Sequence, residues 1–132
     1  MLRFMLDTDI CIYVMKERSG PLRERFRQGA GAMCVSAITL AELFYGAEKS
    51  ERRDHNLRIL SELLSRLDTL EFGAKAASHF GEIRAGLERA GTPIGAYDLL
   101  IGSHARSEGL TLVTNNRREY DRMDGLRVEN WI

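Results

Sequence analysis

Short apolar runs alternate with longer amphipathic stretches along this chain, and this alternation limits its fold more than any other feature. Buried strands are predicted at 2–6, 33–35 and 110–113, because each run is apolar and too short for a helix. Further short strands are predicted at 69–72 and around 127–128. Strands that alternate with helices pair in parallel, so the pattern predicts a parallel α/β sandwich.

Hydrophobic spacing and terminal residues predict the helices between these strands. Apolar residues recur at helical spacing over 52–67 and over 73–90, and Gly91 is placed to end the second of these helices. Ser36 is placed to cap a helix that ends near Ala47. The other predicted helices run from Asp7-Thr8-Asp9 to about Lys16, from a break at Ser19-Gly20-Pro21 to near Gly29, over 96–108 and near 117–122.

Length and composition indicate one folded domain. The 132 residues suffice for a single hydrophobic core, so 1–132 is interpreted as one domain. A hydrophobic content of 44% with 29% charged residues is typical of a globular protein. No apolar run approaches the roughly 18 residues that cross a bilayer, and Asp7 comes too early for a signal peptide. No membrane association and a cytoplasmic location are therefore expected.

Charge, cysteines and histidines argue against several other kinds of site. The formal net charge is zero, so no overall field attracts nucleic acid. Cys11 and Cys34 lie in apolar surroundings and are expected to be buried free thiols. His55, His79 and His104 fall on separate predicted helices without ligand spacing. A metal-free ribonuclease, which usually needs paired histidines as acid and base, is therefore disfavoured.

Three acids that are distant in sequence fall where the predicted fold can gather them. Asp7 ends the first strand, Glu42 lies on the helix after the second, and Asp98 follows the loop at 91–95. Ligands of parallel sheets bind at the carboxyl ends of strands. Two charges about 4 Å apart would repel by roughly 4 kcal/mol, so a divalent cation or protonation must relieve the repulsion. Oxygen ligands of this kind favour Mg²⁺ or Mn²⁺.

Each acid taken by itself has a simpler interpretation. Asp7 and Asp98 could cap the helices that follow them, and Glu42 could be an ordinary surface acid. Capping is the preferred role for Asp9. Tyr97 is interpreted as a packing residue rather than a catalytic phenol. Only the joint arrangement of the acids favours a metal site.

The motifs around these acids resemble those of PIN-domain nucleases. They are Leu6-Asp7-Thr8-Asp9, the segment 36–43, Tyr97-Asp98 and Val113-Thr114-Asn115-Asn116, in this order. The segments 42–50, 91–95 and 114–116 are similar, more narrowly, to those of VapC toxins from bacterial toxin–antitoxin pairs. The resemblance spans 2–132 and implies a PIN-like α/β/α sandwich around a central, mostly parallel sheet.

The resemblance also implies an activity and partners. It implies a Mg²⁺- or Mn²⁺-dependent endoribonuclease toxin that is inhibited by a VapB-like antitoxin. The implied assembly is a homodimer whose antitoxin places a C-terminal segment in the active-site groove. The expected substrate is tRNA, in particular the anticodon loop of initiator tRNA. A PIN-domain nuclease that processes RNA or DNA without being a toxin would have the same site, and a neighbouring antitoxin gene would distinguish the two.

Residue roles follow from positions in the family's motifs. Asp7, Glu42 and Asp98 match the core metal-site acids and are the expected metal ligands and catalytic residues. Asn116 stands where many PIN domains have a fourth acid, and it completes the expected catalytic set although its amide adds no charge. Thr114 is expected to orient the carboxylates by a hydrogen bond.

The segment that follows the expected site is charged. Glu119 or Asp121 could supply the missing acid, although both are interpreted as solvated surface acids. Arg117, Arg118 and Arg122 are candidates for contacts to an RNA backbone, because guanidinium groups match phosphate oxygens.

Overall fold

A parallel sheet of short strands forms the centre of the molecule, which the computed structural model describes over residues 1–16 and 20–132. The strands are β1 (Phe4–Leu6), β2 (Met33–Ser36), β3 (Asp68–Leu70), β4 (Thr111–Val113) and β5 (Val128–Glu129). Their order in the sheet is β3-β2-β1-β4-β5, and every neighbouring pair is parallel. The predicted α/β fold is confirmed, with a sheet that is parallel throughout rather than mostly parallel.

Helices connect these strands at the positions that the hydrophobic spacing predicts. They are α1 (Thr8–Lys16), α2 (Gly20–Gln28), α3 (Ala37–Glu48), α4 (Arg53–Leu64), α5 (Ala74–Arg89), α6 (Ala96–Ser107) and α7 (Arg117–Tyr120). Of the predicted break at 19–21, Ser19 lies outside the described residues. Pro21 lies in the first turn of α2 as described, where its missing N–H has no intrahelical partner to lose.

Apolar clusters cover both faces of the sheet, because successive residues of a strand point to opposite sides. Met5 joins a cluster with residues of α5 and α6, such as Ile83 and Leu99. Leu6, its neighbour in β1, joins a cluster with residues of α1 to α4, such as Leu43. The central strand is therefore buried on both faces, and helices form a layer on each side.

The structure confirms the helix end predicted at Gly91 and the helix start predicted at Ser36. Gly91 and Gly109 follow α5 and α6 with φ of 72° and 67°, a left-handed conformation that glycine adopts without strain. Ser36 accepts the N–H of Ile38 through its side-chain oxygen at 3.1 Å and so caps α3. This cap fixes the start of the helix that carries Glu42.

Both cysteines are free and buried, as predicted. Burial raises the pKa of the Cys34 thiol to about 12 and also raises the pKa of Cys11, so neither thiol is ionised at neutral pH. A separate finding concerns membranes: none of the helices in residues 1–16 and 20–132 is long and apolar enough to span one.

Candidate active site

Two neighbouring strands place Asp7 beside Thr114. The N–H of Asp7 continues the ladder between β1 and β4 by donating to the carbonyl of Val113 at 2.9 Å. Asp7 and Thr114 thus leave adjacent parallel strands at the same edge of the sheet. The Thr114 hydroxyl donates to Asp7 Oδ2 at 2.8 Å. Since Asp7 is only 4% exposed, this bond replaces water on a buried carboxylate.

The other oxygen of Asp7 receives two further contacts. Asp7 Oδ1 accepts the N–H of Thr8 at 2.8 Å, so Asp7 does cap α1. The same oxygen lies 3.2 Å from the hydroxyl of Tyr120, a residue of α7 that is fully buried. The capping alternative for Asp7 is therefore correct but incomplete, because the carboxylate also joins elements from the other end of the chain.

Asp98 lies close to Asp7, because both carboxylates contact the hydroxyl of Tyr120. The residue preceding α6 is Gly95, so Asp98 lies inside the first turn and does not cap the helix, contrary to the simpler interpretation. Its Oδ1 lies 3.2 Å from the Tyr120 hydroxyl, and Asn116 Nδ2 donates to its Oδ2 at 3.4 Å. Asp7 and Asp98 thus share one contact atom.

Glu119 in α7 and Asp121 just after it are both predicted to be solvated, and the structure bears this out for only one of them. Glu119 is half-buried and contributes to the raised pKa of Asp98, so this prediction is wrong for Glu119. It is correct for Asp121, which is exposed and pairs with Arg117 at 3.7 Å. One helical turn thus places a further acid in the cluster, near the position where Asn116 lacks a charge.

Glu42 reaches the site through Thr8. The Thr8 hydroxyl donates to Glu42 Oε1 at 2.6 Å, while the Thr8 backbone N–H donates to Asp7. Glu42 is half-buried, so the interpretation as an ordinary surface acid is wrong. Thr8 therefore links Glu42 to Asp7, through its hydroxyl on one side and its backbone N–H on the other.

Asp9 lies inside the first turn of α1 and is not the residue that precedes the helix, so the capping role preferred for it is wrong. It is the second residue of α1, and its Oδ2 accepts the backbone N–H of Asn115 at 3.1 Å, which ties α1 to the segment after β4. Its Oδ1 is buried and has no hydrogen-bond partner among the described residues. A buried acceptor of this kind usually has a partner, so this oxygen is free to bind a water molecule or an ion.

The cluster carries unrelieved negative charge. Burial raises the pKa of Asp7 from its ordinary value of 3.8 to about 6, and the charge of Asp9 adds to the rise. The pKa of Asp98 rises to about 7, because of burial, the Glu119 contact and the charge of Asp7. Burial also raises the pKa of Asp9. Each acid resists ionisation, which is the effect that a nearby cation would reverse.

The donors fit a hydrated magnesium-like ion better than a closed cage. Within the described residues, no three Asp, Glu, His or Cys side chains form a ready set of metal ligands. The single cup of three acids expected from the sequence is therefore not formed, although Asp7 and Asp98 lie together. Mg²⁺ is commonly held by one or two carboxylates and keeps several water molecules. The pair, with the unpartnered oxygen of Asp9, meets that requirement.

Two predictions concern exposed residues around the acids, one for Tyr97 and one for three arginines. Tyr97 is 60% exposed, so its interpretation as a packing residue is wrong. Arg117, Arg118 and Arg122 are all exposed. Arg117 pairs with Asp121, and Arg122 donates to the carbonyl of Pro93 at 3.2 Å. All three guanidinium groups remain accessible to a phosphate.

Sequence reasoning missed Tyr120 and the side chain of Thr8. Thr8 lies in the motif Leu6-Asp7-Thr8-Asp9, but its position at a predicted helix start gives no sign that its hydroxyl binds Glu42. Tyr120 gives a weak signal, a single large ring between the acids Glu119 and Asp121 in a short polar helix. A ring in that setting either packs inward or is exposed, and the sequence does not distinguish these.

Comparisons with known proteins agree with the fold described above. Residues 4–126 match the sequence profile of the PIN domain. The chain belongs to the PIN-domain family and, within it, to the VapC ribonucleases. It is 52% identical over 131 residues to the tRNA(fMet)-specific endonuclease VapC of Shigella flexneri, covering 99% of both chains. It is 54% identical over 132 residues to Ribonuclease VapC2 of Haemophilus influenzae, covering 100% of both.

Solved structures give the same result. The chain matches a crystal structure of DNA-bound VapBC from Salmonella typhimurium with a TM-score of 0.96 and 50% identity, covering 100% of both chains. It matches VapBC2 from Rickettsia felis, bound to a promoter DNA fragment, with a TM-score of 0.94 and 41% identity. The latter alignment covers 99% of this chain and 100% of the other.

Proposed function

We propose that the chain is the toxin of a VapBC toxin–antitoxin pair and hydrolyses tRNA, with initiator tRNA as its target. The proximity of the buried carboxylate of Asp7 and the half-buried carboxylate of Asp98, which contact the same hydroxyl, is the observation that supports hydrolysis most directly. The choice of substrate is supported by full-length likeness to the tRNA(fMet)-specific endonucleases of Shigella flexneri and Salmonella typhimurium. The reaction would take place in the cytoplasm, where tRNA is found.

Asp7 and Asp98 would hold a Mg²⁺ or Mn²⁺ ion, with Glu42 and Asn116 contributing at its periphery. A bound ion of this kind lowers the pKa of a coordinated water and offsets charge on phosphoryl oxygens. The protein's part is to position the donors: Thr114 holds Oδ2 of Asp7, and Thr8 holds Glu42. Hydrolysis by water leaves a 5′-phosphate and a 3′-hydroxyl on the RNA.

The arginines of α7 would bind the RNA backbone. Arg117 and Arg118 are exposed on the helix that also carries Glu119 and Tyr120, so they lie beside the acids. A guanidinium group binds phosphate oxygens through two parallel hydrogen bonds. These arginines would bring the scissile phosphate to a site whose own negative charge repels it.

A VapB-like antitoxin would bind in the groove between α1, α3 and α4. Apolar side chains, including Ile12, Met15 and Ile59, line this groove, and Glu42 lies at its end near the site. A segment seated there would approach the acids and exclude RNA. The matched Salmonella and Rickettsia structures are VapBC complexes, which supports a partner of this kind. We also propose that the toxin forms a homodimer.

Sequencing the 5′ ends of cellular RNA after induction tests the function. The expected result is growth arrest with a new end in initiator tRNA. The cut should be absent in cells that express Asp7→Asn or co-express the antitoxin encoded beside the gene. RNA processing without growth arrest, and without a neighbouring antitoxin gene, would indicate a non-toxin PIN nuclease. Unchanged cleavage by folded Asp7→Asn would contradict the assignment of the acids.

A further inference from the structure

Tyr120 occupies an unusual place between the two central acids. Its hydroxyl lies 3.2 Å from Asp7 Oδ1 and 3.2 Å from Asp98 Oδ1. In the described part of the chain, it is the only side chain that is hydrogen-bonded to both carboxylates. A phenol has one proton and can donate to only one of these oxygens at a time. With both acids ionised, the second contact therefore brings two oxygens together without a proton between them.

The ring of Tyr120 is held by its packing. Tyr120 is fully buried and packs, with Met123, against Gly102 of α6. A Cβ atom at position 102 would lie 3.2 Å from Cδ1 of Tyr120 and would overlap the sulfur of Met123. Glycine at this position therefore lets α7 approach α6, the helix that carries Asp98. The hydroxyl is thus carried on a rigid support rather than on a mobile surface side chain.

We propose that Tyr120 is a positioning residue that fixes the spacing of Asp7 and Asp98 and thereby sets the affinity for a divalent cation. This inference rests on the proposed function. The hydroxyl contacts both acids of the pair, so it holds one oxygen of each carboxylate in place before a cation arrives. Partners that orient metal ligands typically change metal affinity by about 10- to 100-fold. The phenol acts through the acids and is not itself required to exchange a proton with RNA.

Tyr120→Phe removes the hydroxyl and keeps the ring that packs against Gly102. Calorimetric titration of the metal-free, full-length variant with Mn²⁺ should show affinity about 10- to 100-fold weaker than that of the wild type. The Mg²⁺ concentration for half-maximal RNA cleavage should rise by a similar factor, while kcat at saturating Mg²⁺ stays within about threefold. Tyr13→Phe, which removes the hydroxyl of a half-buried tyrosine on α1, is the matched control and should bind Mn²⁺ like the wild type.

The outcomes separate this inference from the function on which it rests. Wild-type Mn²⁺ affinity in Tyr120→Phe would overturn the positioning role, as would a large loss of kcat with unchanged affinity, which would indicate a catalytic phenol. If the wild type itself does not bind Mn²⁺, the metal-dependent function fails and this inference fails with it. Circular dichroism would establish folding. If Tyr120→Phe does not fold, Gly102→Ala disturbs the same ring without touching the acids. It should weaken Mn²⁺ binding, and unchanged affinity in the folded variant would again overturn the role.

Discussion

The hydroxyl of Thr8 donates a hydrogen bond of 2.6 Å to the carboxylate of Glu42 and so joins the start of α1 to α3. The backbone N–H of the same threonine donates to Asp7. Thr8 therefore sets the position of Glu42 relative to the acid at the end of β1. The helix start that follows the first strand thus also organises the site.

Replacing Thr8 by valine should reduce RNA cleavage by about tenfold or more while the protein stays folded. Valine keeps the branched shape but lacks the hydroxyl, so Glu42 loses its hydrogen-bond donor. Cleavage rates at saturating Mg²⁺, together with thermal unfolding, would measure the effect. Thr92→Val, at an exposed loop position, is the control and should be neutral. Equal rates for the two variants would show that Glu42 needs no support from Thr8.

Asp7→Asn should lower cleavage by more than about 100-fold, beyond the range for residues that only orient a ligand. The amide keeps the size of the side chain but removes the charge that a cation requires. The free energy of unfolding of the metal-free protein at neutral pH should not fall, because an amide does not carry the buried charge. A growth-arrest assay would report the loss of cleavage, and urea unfolding would measure the free energy of unfolding. Asp124→Asn, at an exposed acid near α7, should leave both unchanged.

The stability of the metal-free protein should reflect the raised pKa values. With a pKa of about 6 for Asp7 in the folded state and 3.8 ordinarily, the folded protein binds more protons than the unfolded chain between these pH values. The contribution of Asp7 to the free energy of unfolding therefore falls as pH rises through this window, by roughly 3 kcal/mol in total. Asp98 acts in the same direction up to about pH 7.

Thermal unfolding of the wild type and Asp7→Asn at about pH 5 and about pH 7.5 would measure this effect. The free energy of unfolding of the wild type, relative to that of Asp7→Asn, should be lower at about pH 7.5 than at about pH 5. Mg²⁺ should raise the melting temperature of the wild type mainly at the higher pH, because the cation binds the ionised acids. A wild type that gains stability relative to Asp7→Asn on going to the higher pH without metal would contradict the pKa directions.

Glu119→Gln should weaken Mn²⁺ binding by about tenfold, since Glu119 helps to raise the pKa of Asp98 and adds charge to the cluster. Glutamine preserves the length of the side chain and removes only the charge. Asp121→Asn is the matched control, two residues away, exposed and paired with Arg117. Titration calorimetry should separate the two variants. Equal affinities would restore the interpretation of Glu119 as a surface acid.

The fold was predictable because its signals are local. Apolar runs and helical spacing place each strand within two residues of its observed position, as for 110–113 against Thr111–Val113. The proximity of Asp7 to Thr114 also follows, because both leave the carboxyl ends of strands and parallel pairing aligns those ends.

The remaining features of the site depend on tertiary packing. Tyr120 and Asp7 are 113 residues apart, and nothing local indicates that the ring packs inward against Gly102. Tyr97 precedes Asp98 directly, yet the two differ in exposure because successive residues on a helix point in different directions. The partial burial of Glu119 is not predictable for the same reason, since its neighbour Arg118 is exposed.

Cleavage of purified initiator tRNA, with and without a chelator, tests most directly whether the acids act through a divalent cation. The account predicts no cleavage in the chelator and restored cleavage on addition of Mg²⁺ or Mn²⁺, with 5′-phosphate and 3′-hydroxyl ends at the cut. Full cleavage in the chelator, or 2′,3′-cyclic phosphate ends produced by the RNA's own 2′-hydroxyl, would contradict it.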